Sequence, residues 1–446
     1  MAAVTDAAGA DPAAQLAICR PFFITAIVSV LTSGCALGAV ALVALSQQRV
    51  ILNREWTLWI AAHANSQLFG WVGLFVMGFS LQLHTPRPSR ADLFRLLAAL
   101  SLASVAIAIP LRFAAEALWL HSRAAGLLAG AASCLLEVVA VAAFIVNIGM
   151  TRRRVADPVT GRPAGLPWQS VLLFTALAWW LAAAAAETIF FVQSHQPQGA
   201  RFVAEWDMPL RDAQFLGFVV NMIFGVVLVR LHTDFGAPTP SRNGALAGFG
   251  LWNLGVVLRV VAWPMGHTLG LPGGPNPLYF VGGAALAAGA AALVWSARPF
   301  AAPANRLPSH KFLRAALAWL LASAAILLAE PIYLRLAGAG FEHAIVSAFR
   351  HAAAVGLISQ MIVAVSIFQA ARFRGLEARA QSQLWSVYWL LNGGNALRVA
   401  GALLTPLTPL AYSVMAPSGA IEAAGILLWA VWLVPTLTRR RAAALS

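Results

Sequence analysis

Charge and thiols are both scarce in this chain. Of 446 residues only 10% are charged and only 3 are cysteines. A soluble domain carries about a quarter of its residues as charges, so an ordinary solvated surface is excluded. Cys19, Cys35 and Cys134 form no CxxC pair, which leaves no thiol redox motif and no cysteine zinc site by spacing, and they read as packing residues. No phosphate-binding glycine loop and no Ser/His/Asp arrangement is present, and no stretch between apolar runs is long enough to house a soluble domain.

What the chain has instead is apolar length. Hydrophobic residues make up 60% of it, and the mean hydropathy is +0.76. The bilayer is its main solvent and its first partner. About 20 residues at a 1.5 Å rise cross the hydrocarbon layer. Apolar stretches of that size predict about twelve transmembrane helices, near 20–45, 57–83, 93–111, 125–150, 169–193, 209–231, 244–264, 277–296, 312–336, 345–369, 383–405 and 411–435. The expected fold is all-α, a polytopic membrane protein.

The net charge of +14 raises the question of a nucleic-acid partner. Twenty of the 30 Lys and Arg residues fall near the termini or in loops after even-numbered spans, including Arg152, Arg153, Arg154, Arg439, Arg440 and Arg441. That asymmetry is the positive-inside pattern, so both termini are expected in the cytoplasm and no nucleic-acid partner is implied. Residues 1–19 lack the basic start and short apolar core of a cleavable signal and are expected to form a flexible cytoplasmic tail. Residues 436–446 form a basic tail, and 20–435 a single membrane domain.

Comparing the chain with itself exposes a repeat. Sliding 211–260 by 139 residues pairs Arg211 with Arg350, Gly217 with Gly356, Met222 with Met361, Asn253 with Asn392, Gly255 with Gly394 and Arg259 with Arg398. Sliding back by 147 pairs Gln67 with Gln214, Gly70 with Gly217, Gly78 with Gly225 and Arg112 with Arg259. Three pseudo-symmetric four-helix units are expected, 20–150, 166–296 and 307–435.

His63 and His351 lie inside the second and tenth of these spans, each about six residues, or ~9 Å, below the outer end. An ionisable group inside a membrane is a functional candidate, because leaving it unsatisfied costs several kcal/mol. Three roles stay open on pattern alone: axial ligation of a haem iron by neutral imidazoles, interfacial hydrogen bonding to carbonyls, and proton relay. The two are not copies of one ancestral residue. His351 shares its column with Asp212 and Asn65, whereas His63 aligns with Leu210 and Phe349.

Twelve spans in three units, with histidines on the second and tenth, resemble the catalytic subunit of the haem-copper oxidases and nitric oxide reductases. The segments HANSQLFGW, RDAQFLGFVVNMIFGV, RHAAAVGLISQMIVAV and LLNGGNALRV are more closely similar to the NnrS-like family of polytopic haem proteins linked to nitric oxide. The resemblance implies a b-type haem with His63 and His351 as its axial metal ligands, and a role in nitrosative stress or membrane electron transfer. Nitric oxide, or a quinol or cytochrome electron donor, would be the partner, and a bacterial cytoplasmic membrane the setting. No standard oxygen-reducing binuclear centre is expected: Phe349 stands where oxidases carry a further tenth-helix histidine, and 244–264 contains none. Asn65 and Ser66 replace the second histidine and the acid common in NnrS-like second helices, so copper is left undecided.

Haem propionates call for arginine partners. Arg398, Arg259, Arg112, Arg350 and Arg211 all lie on the side of the histidines and are the candidates; snorkelling to headgroups is the other reading of each. Asp212 reads as a local ion-pair partner of Arg211. Glu137 falls near mid-membrane with no evident local partner, and Glu187 and Glu330 near outer span ends. The rival class is a haem-free transporter or scaffold on the same bundle.

Overall fold

A computed structural model describes residues 12–47, 54–84, 86, 88–151, 168–268, 276–303, 307–374 and 384–438. The basic clusters at 152–154 and 439–441, and the ends of the two expected tails, lie outside the described residues. Residues 12–19, expected within the N-terminal tail, are helical: the first helix runs unbroken from Pro12, a residue whose fixed φ suits a first helical turn.

Among the described residues the secondary structure is entirely helical. Eleven helices are long and apolar enough to cross a membrane: α1 (Leu16–Ser46), α2 (Trp59–Leu83), α3 (Ala91–Trp119), α4 (Arg123–Thr151), α5 (Ser170–Ser194), α6 (Gly199–His232), α7 (Arg242–Gly266), α8 (Pro277–Ala297), α9 (His310–Ala337), α10 (His343–Gln369) and α12 (Leu410–Thr438). Between the last two lies α11 (Trp385–Leu404), at the eleventh expected span. It is 20 residues long, but Asn392, Asn395 and Arg398 lower its hydropathy.

Three helices form the centre. In α2, α6 and α10, 72% of the most apolar window is buried, against 33–50% in the other eight. Aromatic contacts join the three helices to one another and to their neighbours. Trp71 of α2 donates to Ser359 Oγ of α10 at 3.4 Å, Phe215 of α6 meets Phe349 of α10 edge-on, and Trp180 of α5 stacks on Phe218 of α6 at 4.1 Å. Packing within a bilayer rests on such shape complementarity, since lipid tails are as apolar as the side chains they would replace.

The same three helices share a backbone irregularity. Each contains an eight-residue π-helical segment: Ser66–Gly73, Ala213–Val220 and Ala352–Ser359. Their starts are separated by 147 and 139 residues, the offsets that align the repeats in sequence. A second feature recurs near the later offset, with the asparagines 139 and the tryptophans 140 residues apart: Trp179 Nε1 donates to Asn253 Oδ1 at 3.3 Å, and Trp319 Nε1 donates to Asn392 Oδ1 at 2.9 Å. A fourth π-helical segment, Val30–Ala36, interrupts α1. π segments widen a helix locally and occur disproportionately at functional sites.

Candidate functional site between the first and third units

Both histidines sit at the entrance of a π segment. His63 is three residues before Ser66, and His351 immediately precedes Ala352. Each ring is half-buried and bound the same way. His63 Nδ1 donates to the carbonyl of Ser33, on α1, at 2.8 Å; His351 Nδ1 donates to the carbonyl of Ser347, one turn back on α10, at 2.9 Å. A carbonyl can only accept, so Nδ1 carries the proton and Nε2 of each neutral ring is left with a free lone pair. This second-sphere arrangement orients metal-bound histidines and raises their basicity.

The surroundings bring the two rings into one electrostatic environment. His351 interacts electrostatically with His63, Arg398 and Arg350. Gly38 of α1 leaves room beside His63, where a Cβ would lie 3.5 Å from ring atom Cε1. The Asn395 amide of α11, oriented to satisfy both ends, donates to the His351 carbonyl at 2.9 Å and accepts from the Gly356 N–H at 3.3 Å. It thereby clamps the turn at which the π segment opens.

Arg398 lies nearby, 9% exposed, bonded to Met415 Sδ and, at 3.3 Å, to Ser347 Oγ. Both are weak or neutral acceptors, and its Nε has no partner among the described residues. Glu422 of α12 is electrostatically coupled to Arg398 and packs on Gly394, with Oε1 also unpartnered among the described residues. Glu422 meets the same sequence criterion as Glu137, a carboxylate deep in an apolar span, and only the structure sets it beside Arg398.

The other expected arginines go elsewhere. Arg259 donates from Nε to Asp212 Oδ2 at 2.8 Å, lies 3.5 Å from Glu330 Oε2, bonds the Tyr279 hydroxyl and sits 3.8 Å above its ring. The Phe349 ring is 5.9 Å away on another side. Arg259 is thus committed to a buried ion network between the second and third units, while Arg350 donates to Met208 Sδ of α6 at 3.2 Å. Asp212 pairs with Arg259 rather than with its sequence neighbour. Arg211 instead binds Glu187 at 2.9 Å and Asp207 at 3.2 Å, because i, i+4 spacing and a facing helix bring those carboxylates within reach while adjacent residues diverge.

A second network lies between the first and second units. Arg112 donates to Glu187 Oε1 at 3.0 Å and to Cys134 Sγ at 3.0 Å, and stands 3.6 Å from Glu116. Glu116 in turn meets His195 Nε2 at 3.3 Å. Glu187 therefore pairs with two arginines inside the spans, Arg112 and Arg211. Glu137 also has a partner, Asn65 of α2.

The donor chemistry at the His63/His351 site fits a haem. Two imidazoles offer free nitrogens to iron, and a buried guanidinium with an unsatisfied N–H suits a carboxylate. Among the described residues no group of three or more His, Cys, Asp or Glu is gathered as ligands for a metal ion.

No family model matches this chain, and no curated protein matches it. In fold it is similar to a haem-copper terminal oxidase whose dimer was solved by cryo-electron microscopy, with a TM-score of 0.62 at 13% identity over 95% of this chain and 84% of that one. The chain is a polytopic, all-helical membrane protein with the fold of a haem-copper oxidase.

Proposed function

We propose that this protein binds one b-type haem between α2 and α10 and belongs functionally with the NnrS-like proteins, acting in nitric oxide or nitrosative-stress physiology or in membrane electron transfer. The observation that carries this is the matched pair of Nδ1–H···O=C bonds on His63 and His351, which frees Nε2 of both rings. Arg398 is positioned to receive a propionate through its free N–H. Arg350 adds positive charge on the same side, whereas Arg259 is already neutralised by its own carboxylates.

A haem held there supplies one-electron chemistry at iron. His63 and His351 would hold the group through their Nε2 atoms, and a haem held by both would supply electron transfer or redox sensing rather than turnover on a bound gas. Phe349 stands where haem-copper oxidases carry a further tenth-helix histidine, and its ring lies 5.9 Å from the Arg259 guanidinium, which argues against an oxygen-reducing centre. The location that fits is a bacterial cytoplasmic membrane, with both termini cytoplasmic and the site in the outer half, reached by a quinol or a cytochrome.

Two of the three inter-unit regions are filled by ion networks, which also suits a haem-free transporter or scaffold. Absorption spectra of the purified protein, oxidised and dithionite-reduced, separate the readings. A six-coordinate low-spin spectrum is expected, lost or converted to high-spin in His63→Ala and in His351→Ala. Haem-free wild-type protein from haem-supplied cells refutes the proposal.

A further inference from the structure

Glu137 of α4 and Asn65 of α2 are both fully buried. Asn65 Nδ2 donates to Glu137 Oε1 at 2.5 Å. Two polar atoms are then left over, Asn65 Oδ1 and Glu137 Oε2, and neither has a partner among the described residues. Both are acceptors if the carboxyl is ionised, and two unpaired acceptors inside a membrane protein are costly. One proton resolves both. A protonated Glu137 donates from Oε2 to Asn65 Oδ1 while Asn65 donates to Oε1, closing the two-bonded ring of a carboxylic acid–amide pair. Turning the amide round exchanges the two bonds without removing the need for the proton.

The surrounding charges point the same way. Glu137 faces Arg112 of α3, Glu187 of α5 and Arg211 of α6, with Cys134 on its own helix. Both arginines already face carboxylates, although Arg112 Nε and Arg211 Nη2 make no hydrogen bond among the described residues: Glu187 bonds one with each oxygen, Glu116 stands against Arg112, and Asp207 bonds Arg211. Three carboxylates, one of them also 3.3 Å from His195 Nε2, thus already face two guanidinium groups, and a fourth ionised carboxylate would add negative charge to a buried cluster.

We infer that Glu137 is a neutral carboxylic acid locked to Asn65 as a two-bonded pair, forming a proton-holding site two residues beyond His63 on α2. The pair makes Glu137→Gln a near-isosteric copy of the protonated state, since the amide nitrogen introduced by the substitution can donate to Asn65 Oδ1 in place of the acid hydroxyl.

Infrared difference spectroscopy of wild-type protein against E137Q, at pH 7 in water and in deuterium oxide, tests this. Expected is a carboxylic-acid C=O band present in wild type, shifted in deuterium oxide and lost in E137Q, whose thermal midpoint stays within about two degrees of wild type. In Asn65→Ala the band persists but moves to higher frequency, because its amide donor is gone. No band difference between wild type and E137Q, or a carboxylate band in its place, overturns the inference. So does marked destabilisation of E137Q, which would mean an ionised Glu137 balances the arginines. In haem-loaded protein the reduced-minus-oxidised spectrum should also shift this band; that arm alone rests on the haem reading, so its failure is distinguishable from failure of the pair.

Discussion

Removing Arg259 should destabilise the protein far more than removing Arg398, although the two occupy corresponding repeat positions. Arg259 is 1% exposed and holds Asp212 at 2.8 Å and Glu330 at 3.5 Å. Arg259→Met leaves two buried carboxylates without their cation, and breaking a buried pair from one side costs about 3–5 kcal/mol. Arg398 makes no ion pair within 4 Å among the described residues; it bonds a thioether and, at 3.3 Å, a hydroxyl. Its loss removes weak bonds and a buried unsatisfied N–H together, and the coupled Glu422 stands beyond ion-pair distance, so about 1 kcal/mol is expected. The gap of at least about 2 kcal/mol is roughly a 30-fold difference in the unfolding equilibrium. Denaturation in mixed detergent micelles, followed by tryptophan fluorescence, reads it directly. Arg259→Met combined with Asp212→Asn and Glu330→Gln should recover most of the loss, since the stranded charges go with their partner. Equal destabilisation by Arg259→Met and Arg398→Met, or no recovery in the triple variant, refutes the view that one arginine is structural and the other is held available.

Gly38→Ala should keep its haem, because the new Cβ meets His63 Cε1 at an ordinary 3.5 Å, whereas Gly38→Leu should lose it while remaining folded; haem absorbance per protein checks both. Trp319→Phe should cost more than Trp179→Phe by about 1 kcal/mol, read by the same unfolding assay. Asn253 Oδ1 keeps a second donor, Asn221 Nδ2 at 2.9 Å, when Trp179 is removed, whereas Asn392 Oδ1 has only Trp319 among the described residues.

Long-range pairing explains what the sequence could and could not disclose. Helix number and class follow from hydropathy, because crossing hydrocarbon requires a run of apolar residues whatever the neighbours are. Only α11 falls short of that measure, since Asn392, Asn395 and Arg398 face partners the sequence does not name. The 147- and 139-residue offsets were visible in Arg, Asn and Gly matches, yet nothing local announced that π segments would begin at Ser66, Ala213 and Ala352. That irregularity is held by residues such as Asn395 reaching in from another helix. The networks were illegible for a similar reason. Arg112 meets Glu187 across 75 positions and Arg259 meets Asp212 across 47, so the choice between snorkelling outward and pairing inward is made by helix assembly. His63 and His351 were legible as candidates because histidine is conspicuous in an apolar run; the Ser33 carbonyl that orients His63 lies on another helix and was not.

On the proposed haem reading, the three repeated arginines also set how many haems the chain should hold. Arg112, Arg259 and Arg398 are related by the same 147 and 139 offsets. Arg112 takes Glu187 from α5, the first helix of the following unit, and Arg259 takes Glu330 from α9, the first helix of the unit after that. The corresponding helix for Arg398 is α1, which contains no Asp or Glu anywhere in 16–46. A propionate entering either of the first two regions would meet a guanidinium already paired with a buried carboxylate, whereas Arg398 makes no ion pair within 4 Å among the described residues; each of the three arginines keeps one N–H without a hydrogen-bond partner there. Among the described residues, only this last region also presents two imidazoles whose Nε2 atoms make no hydrogen bond. The expected stoichiometry is therefore one haem per chain, measured as pyridine haemochrome against protein by amino-acid analysis. Two haems per chain would show that an arginine–carboxylate network can open to admit a cofactor, and would overturn the assignment of those networks as structural.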